Sequence, residues 1–140
     1  MPRNLPFKID RSIMCEDVRE EKNGKYTLVG VYVGDIQFSA IPGNIAIAFF
    51  LEVSLKRSGK FEIHFRLSGP GDHSALIKAT VLFGEITGPA VIATPRIDLL
   101  VDQEGDFTME ISSDGANWTT IAAKRISLNP SLAISPQPPS

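Results

Sequence analysis

The pair Asn23-Gly24 constrains this chain more than any other two neighbours. Asparagine and glycine tolerate the positive φ angles of a type I′ turn, whose twist matches that of two paired strands. With RSIMCEDVREEK before it and KYTLVGVYV after it, the pair predicts a two-stranded hairpin over residues 11–33. Tyr26, Leu28, Val31 and Val33 supply the aromatic and branched side chains that suit a pleated surface. A chain that opens on such a hairpin is committed early to sheet.

The rest of the sequence keeps that commitment. Ile45, Ile47, Phe49, Leu51, Val53 and Leu55 fall on one face of a period-2 run, with Ala46, Ala48, Phe50, Glu52 and Ser54 on the other. Phe61, Ile63, Phe65 and Leu67 alternate with Glu62, His64, Arg66 and Ser68, the cleanest half-buried strand in the chain. Ala75, Ile77, Ala79, Val81 and Phe83 repeat the pattern, and Phe107, Met109 and Ile111 do so again after the turn at 102–105. Residues 91–101 are strand-like but interrupted by Pro95, which predicts an edge strand, a bulge or two shorter strands. No segment keeps a helical stripe for three turns. Short strands at about ten-residue spacing, separated by Gly, Pro, Asn and Asp, predict an all-β fold. The expected architecture is an antiparallel β-sandwich of seven to nine strands, immunoglobulin-like in the broad sense. Residues 1–128 form the expected sandwich domain, and residues 129–140, with four prolines, a flexible or polyproline-like tail.

Composition narrows the function classes. A formal net charge of -2 argues against a general grip on nucleic acid or an anionic membrane. No apolar run approaches the ~20 residues of a membrane-spanning helix. The single cysteine, Cys15, excludes an intramolecular disulfide and a multi-cysteine zinc site. The N-terminal residues lack the apolar core of a signal peptide, so the cytoplasm is the expected compartment.

Candidate chemistry is sparse. Glu16, Asp17, Glu20 and Glu21 could offer hard oxygen ligands to a cation. On a strand, only alternate members share a face, and Arg19, Lys22 and Lys25 lie among them, so a solvated hairpin surface is the expectation. Asp102-Gln103-Glu104-Gly105-Asp106 lacks the glycine and glutamate positions of a calcium loop and reads as a polar turn. His64 stands on a polar strand face. His73 lies in a loop beside Asp72, which could orient it, and Ser74, which suggests a hydrolase only if a nucleophile meets it in space. Cys15 reads as a small core residue. Trp118, Asn117 and Asp114 form the candidate ligand site: an exposed indole beside polar groups could stack on a sugar face, although a tryptophan packed over its own turn is the commoner arrangement.

Two resemblances attach to quoted residues. The stretch Ser112 to Thr119 resembles the S-x-D-G-x-x-W segment of discoidin-type binding sandwiches and the Asp-box turns of sialidase propellers, without the Asp-box spacing. Cys15 to Arg19, Gly24 to Tyr32 and Gly105 to Ile111 together resemble a family of small uncharacterised bacterial β-sandwich proteins, labelled a domain of unknown function. That resemblance implies the fold and a bacterial or phage source, and it carries no active site. The leading expectation is a non-enzymatic binding or assembly module, without a cofactor or metal. It would engage a protein partner or a second copy through a sheet face, an edge or loops. Phe50, Tyr32 and Leu100 motivate it as apolar positions with no evident partner. A carbohydrate or small-polar-ligand module at Trp118 and a hydrolase are the alternatives.

Overall fold

A computed structural model describes residues 5–84 and 89–133. Ten strands follow in order: β1 (Phe7–Glu20), β2 (Tyr26–Val31), β3 (Ile36–Phe38), β4 (Gly43–Leu55), β5 (Gly59–Ser68), β6 (Ser74–Phe83), β7 (Pro89–Ala93), β8 (Ile97–Val101), β9 (Gly105–Ser112) and β10 (Thr119–Leu128). They form two five-stranded sheets. The first runs β2-β1-β4-β7 with β8 also on β4, and the second runs β3-β10-β9-β5-β6. Only short 3₁₀ turns, at Lys22–Gly24 and Pro130–Ala133, interrupt the strands among the described residues. The protein is all-β.

The alternation read from the sequence explains the core. Ile47, Phe49, Leu51 and Val53 of β4 and Ile63, Phe65 and Leu67 of β5 are buried in one cluster with Phe107, Met109 and Ile111 of β9. Each sheet thus turns its apolar face to the other, and removing that surface from water is the main favourable term in folding.

Three expectations are corrected. Among the described residues the strands number ten rather than seven to nine, because β3 is a three-residue strand and Pro95 splits one run into β7 and β8. Both halves pair with β4, and between Phe50↔Ala93 and Ile47↔Ile97 the pairing slips by one residue. Thr94 bridges the gap: its N–H donates to the Phe49 carbonyl at 2.9 Å, and its hydroxyl accepts from the Phe49 N–H at 2.8 Å. A side-chain oxygen therefore stands in for a ladder carbonyl next to a proline that has no N–H to give. Second, the sheets are not wholly antiparallel. β3 runs parallel to β10, at Ile36↔Ile126 through Phe38↔Leu128, which the long intervening chain permits.

The third correction concerns the turn of the hairpin. Asn23 and Gly24 do take positive φ, at 69° and 73°. The loop nevertheless holds three residues rather than two: the Glu21 N–H donates to the Lys25 carbonyl, and Glu20 faces Tyr26. Lys22 is the added residue. A one-residue difference of this kind decides which face every β2 side chain occupies. At the other end of the chain, β10 stops at Leu128, and Asn129 is tied to Phe38 and Gln37 by its backbone and side-chain N–H groups. Of the tail expected over residues 129–140, the part from 134 onward lies outside the described residues.

Candidate functional site

The outer faces and edges of the sheets hold what the core does not explain. On the first sheet, β1 pairs with β4 only as far as Cys15↔Ala48, and from Cys15 onward β1 pairs with β2 instead. The hairpin leaves β4 there. Gly30, at φ +64°, faces the departure point, and a Cβ on it would sit 2.6 Å from the Glu16 carboxyl carbon. Tyr26, next to the hairpin loop, stands edge-on to Phe50 with ring centroids 5.4 Å apart. Phe50 faces Ile13, on the side from which the hairpin departs, so the hairpin folds back over the outer face. Beneath it, Cys15, Ala48 and Phe50 are buried outside the shared core.

Tyr32 fills the place β1 vacates beside β4. Its hydroxyl donates to the Ala46 carbonyl at 2.7 Å, and burial, with the charge of Glu16 nearby, pushes its pKa up to about 12. Two of the three unassigned apolar residues, Phe50 and Tyr32, therefore have partners inside the molecule. Leu100 remains 42% exposed. The Cys15 thiol donates to the carbonyls of Asp17 and Ala48, and burial raises its pKa, as suits a packed and unreactive thiol. Among the described residues, no cluster of three or more His, Cys, Asp and Glu side chains is placed to hold a metal ion. Asp17 instead lies 3.5 Å from Arg19.

The Trp118 loop is closed on itself. Asp114 Oδ1 accepts from the Asn117 and Ala116 N–H groups and the Ser112 hydroxyl, each at 2.8 Å. Its Oδ2 accepts from the Asn117 side-chain amide at 2.7 Å. These bonds, led by the Asn117 and Ala116 amides, hold the Asp114 carboxyl well below the usual carboxylate range. The Arg66 guanidinium lies 4.3 Å over the Trp118 ring and 2.9 Å from Glu110. One indole face is thus taken by a cation. The three candidate ligand residues are brought together, with Asp114 and Asn117 bonded to each other.

His73 is oriented by Asp102 at 2.9 Å, across two loops, rather than by Asp72. Sequence adjacency pointed to the wrong aspartate because the turn after β8 closes over the β5–β6 loop. No serine, threonine or cysteine side chain is hydrogen-bonded to His73 among the described residues. His64 pairs with Glu62 at 3.1 Å, and Lys78 reaches the same carboxylate at 3.4 Å. An open hollow of about 420 Å³ is lined by Glu16, Tyr32, Gln37, Phe38 and Asn44 near β3. A smaller one of about 290 Å³ lies between β1 and β10, with Phe7, Lys8, Lys56 and Ile121 on its walls.

One strand edge stands apart from the others. Open edges invite pairing with foreign strands, and proteins blunt them with proline, bulges, charge or short length. The β7–β8 edge carries Pro89, Pro95 and a slip, β1 bulges between Ile9 and Arg11, and β3 has three residues. β2, the remaining end strand, has six residues. β6 has no proline, bulge or short length, and Lys78 is its single charge. Its ten residues pair with β5 from Ser74↔Ser68 to Phe83↔Gly59 without a shift, and its other side is the end of the sheet. On its outer face Leu76 is 72% exposed and Leu82 is 79% exposed, with Lys78 and Thr80 between them. Neither leucine is among the candidate residues the sequence offers. The signal available was Leu76 and Leu82 on the period opposite to Ala75, Ile77, Ala79, Val81 and Phe83, two large apolar residues beyond the face a single core uses.

Two sheets packed over one shared core define an all-β protein. The chain belongs to DUF6941, a family of unknown function, whose profile matches residues 10–124. No curated protein matches the chain.

Proposed function

We propose that this chain is a non-enzymatic β-sandwich module, immunoglobulin-like in the broad sense, that binds protein by adding a strand to the open edge of β6. The observation that carries the reading is the ten-residue, unshifted edge with Leu76 and Leu82 exposed on it. Strand addition supplies backbone hydrogen bonds for affinity and alternate side chains for selectivity. The outer leucines would be the selective element. Lys78, drawn onto Glu62, is the one charge on that face of β6, too little to repel an incoming strand. A membrane role through a spanning helix has no support, since no helix among the described residues is long and apolar enough to cross a bilayer.

A labelled peptide copying residues 74–83 tests the edge, because it offers a strand of matching length with leucines to meet Leu76 and Leu82. Saturable binding is expected by fluorescence anisotropy, with loss of binding in the Leu76→Lys/Leu82→Lys double variant. Equal binding to both proteins would overturn the reading.

A further inference from the structure

We infer that the natural occupant of the β6 edge is a second copy of this chain, paired antiparallel with Leu76 of each copy opposite Leu82 of the other. The inference rests on the strand-addition reading and adds the identity and register of the partner. Two copies joined edge to edge about a two-fold axis normal to the sheet keep their outer faces on the same side. Residues that stand opposite each other must then share a face, so even-numbered positions of β6 meet even-numbered ones.

That restriction leaves few registers, and side chains choose among them. With Leu76 opposite Leu82 of the second copy, Lys78 faces Thr80, and both leucines of both copies are covered. Sliding by one allowed step in one direction puts Lys78 directly opposite Lys78 of the second copy, a like-charge pair. Sliding the other way puts Leu76 opposite Gly84, beyond the end of the strand. In the favoured register the two lysines lie only diagonally, each with its own Glu62 at 3.4 Å.

The inner face agrees. Ala79 meets Ala79 of the second copy, Ile77 meets Val81, and Ala75 meets Phe83. In a single copy Ala75, Ile77, Ala79 and Val81 are only partly buried against the core, as expected of the last strand in a sheet. The inner face of the junction is therefore apolar and matched, the outer face pairs leucine with leucine around two Lys–Thr pairs, and the two five-stranded sheets become one.

Sedimentation over a rising concentration series is expected to show monomer passing to dimer, and the Leu76→Lys/Leu82→Lys variant should stay monomeric, with an unchanged melting temperature at dilutions where both proteins are monomers. Register is read by cysteine pairing, with Cys15 buried and silent. A mixture of Leu76→Cys and Leu82→Cys proteins should oxidise to the mixed dimer, since directly opposite Cβ atoms lie about 4.5–5.5 Å apart. Leu76→Cys alone should not cross-link, because its two copies would stand about 20 Å apart along the ladder. Cross-linking of Leu76→Cys with itself would overturn the register. A protein that binds the peptide of residues 74–83 yet remains monomeric at high concentration would overturn the second copy while leaving the strand-addition reading in place. Failure of both peptide binding and self-association would remove both.

Discussion

The two sheets both carry apolar side chains on their outer faces, and the chain deals with them in opposite ways. On the first sheet, Phe50 lies under Tyr26 of the folded-back hairpin, and Cys15 and Ala48 are sealed beneath it. On the second sheet nothing in the described chain covers Leu76 and Leu82. The same physical surplus, more apolar surface than one core can absorb, is met internally in one place and left bare in the other. A chain able to spend a hairpin on one face and not the other leaves its uncovered face available to a partner.

Measurements that would break this contrast can be ordered by size. Phe50→Ala should cost about 3 kcal/mol in denaturant unfolding, the scale of a buried aromatic lost to a cavity. If it costs no more than Leu82→Ala, the hairpin does not cover the first sheet. Gly30→Ala should follow at about 1–2 kcal/mol, since an L-residue is strained at φ +64° and its methyl would strike Glu16. The same variant should speed labelling of the Cys15 thiol, which is expected to resist reagents until the hairpin lifts. Labelling as fast in wild type as in the unfolded chain would show an open face.

Smaller effects sharpen the picture. Tyr32→Phe should cost about 1 kcal/mol through the lost bond to the Ala46 carbonyl. Because the fold raises the Tyr32 pKa to about 12, its contribution is complete below the unfolded value near pH 10. It is lost as pH climbs through the folded value. Alkaline unfolding of the Tyr32→Phe variant should lack that decline, and an identical pH profile for the two proteins would show that the phenol is not held. Leu82→Ala, at the bottom of the series, should move stability by no more than about 0.5 kcal/mol.

The sequence revealed the strands more readily than their neighbours. Alternation at Phe61 to Leu67 marks the buried face of β5 without ambiguity, because period 2 is a local property. Pro95 marks an interruption for an equally local reason. The Ser112-to-Asn117 turn is likewise closed by bonds spanning two or three residues. What stayed hidden depends on contacts distant in sequence. Arg66 reaches Trp118 because β5 pairs with β9, which no turn signal announces. Tyr26 reaches Phe50 because β1 changes partners at Cys15, so an aromatic that looked surplus proved to be packed. Leu76 and Leu82 were overlooked because alternation assigns faces but does not say which strand comes last in a sheet. The chain falls in a family of unknown function, as the resemblance implied at that coarse level.

The repair at Thr94 bears on stoichiometry. By keeping Phe49 bonded on both its N–H and carbonyl while Pro95 breaks the run, it divides one margin of the first sheet into two five-residue pieces offset from each other. Neither piece is long or regular enough to template a growing fibre. The far margin of the second sheet ends in the three-residue β3. If two molecules pair through β6 as proposed, neither sheet has another regular margin of that length among the described residues, and the assembly would stop at a pair instead of continuing into a filament.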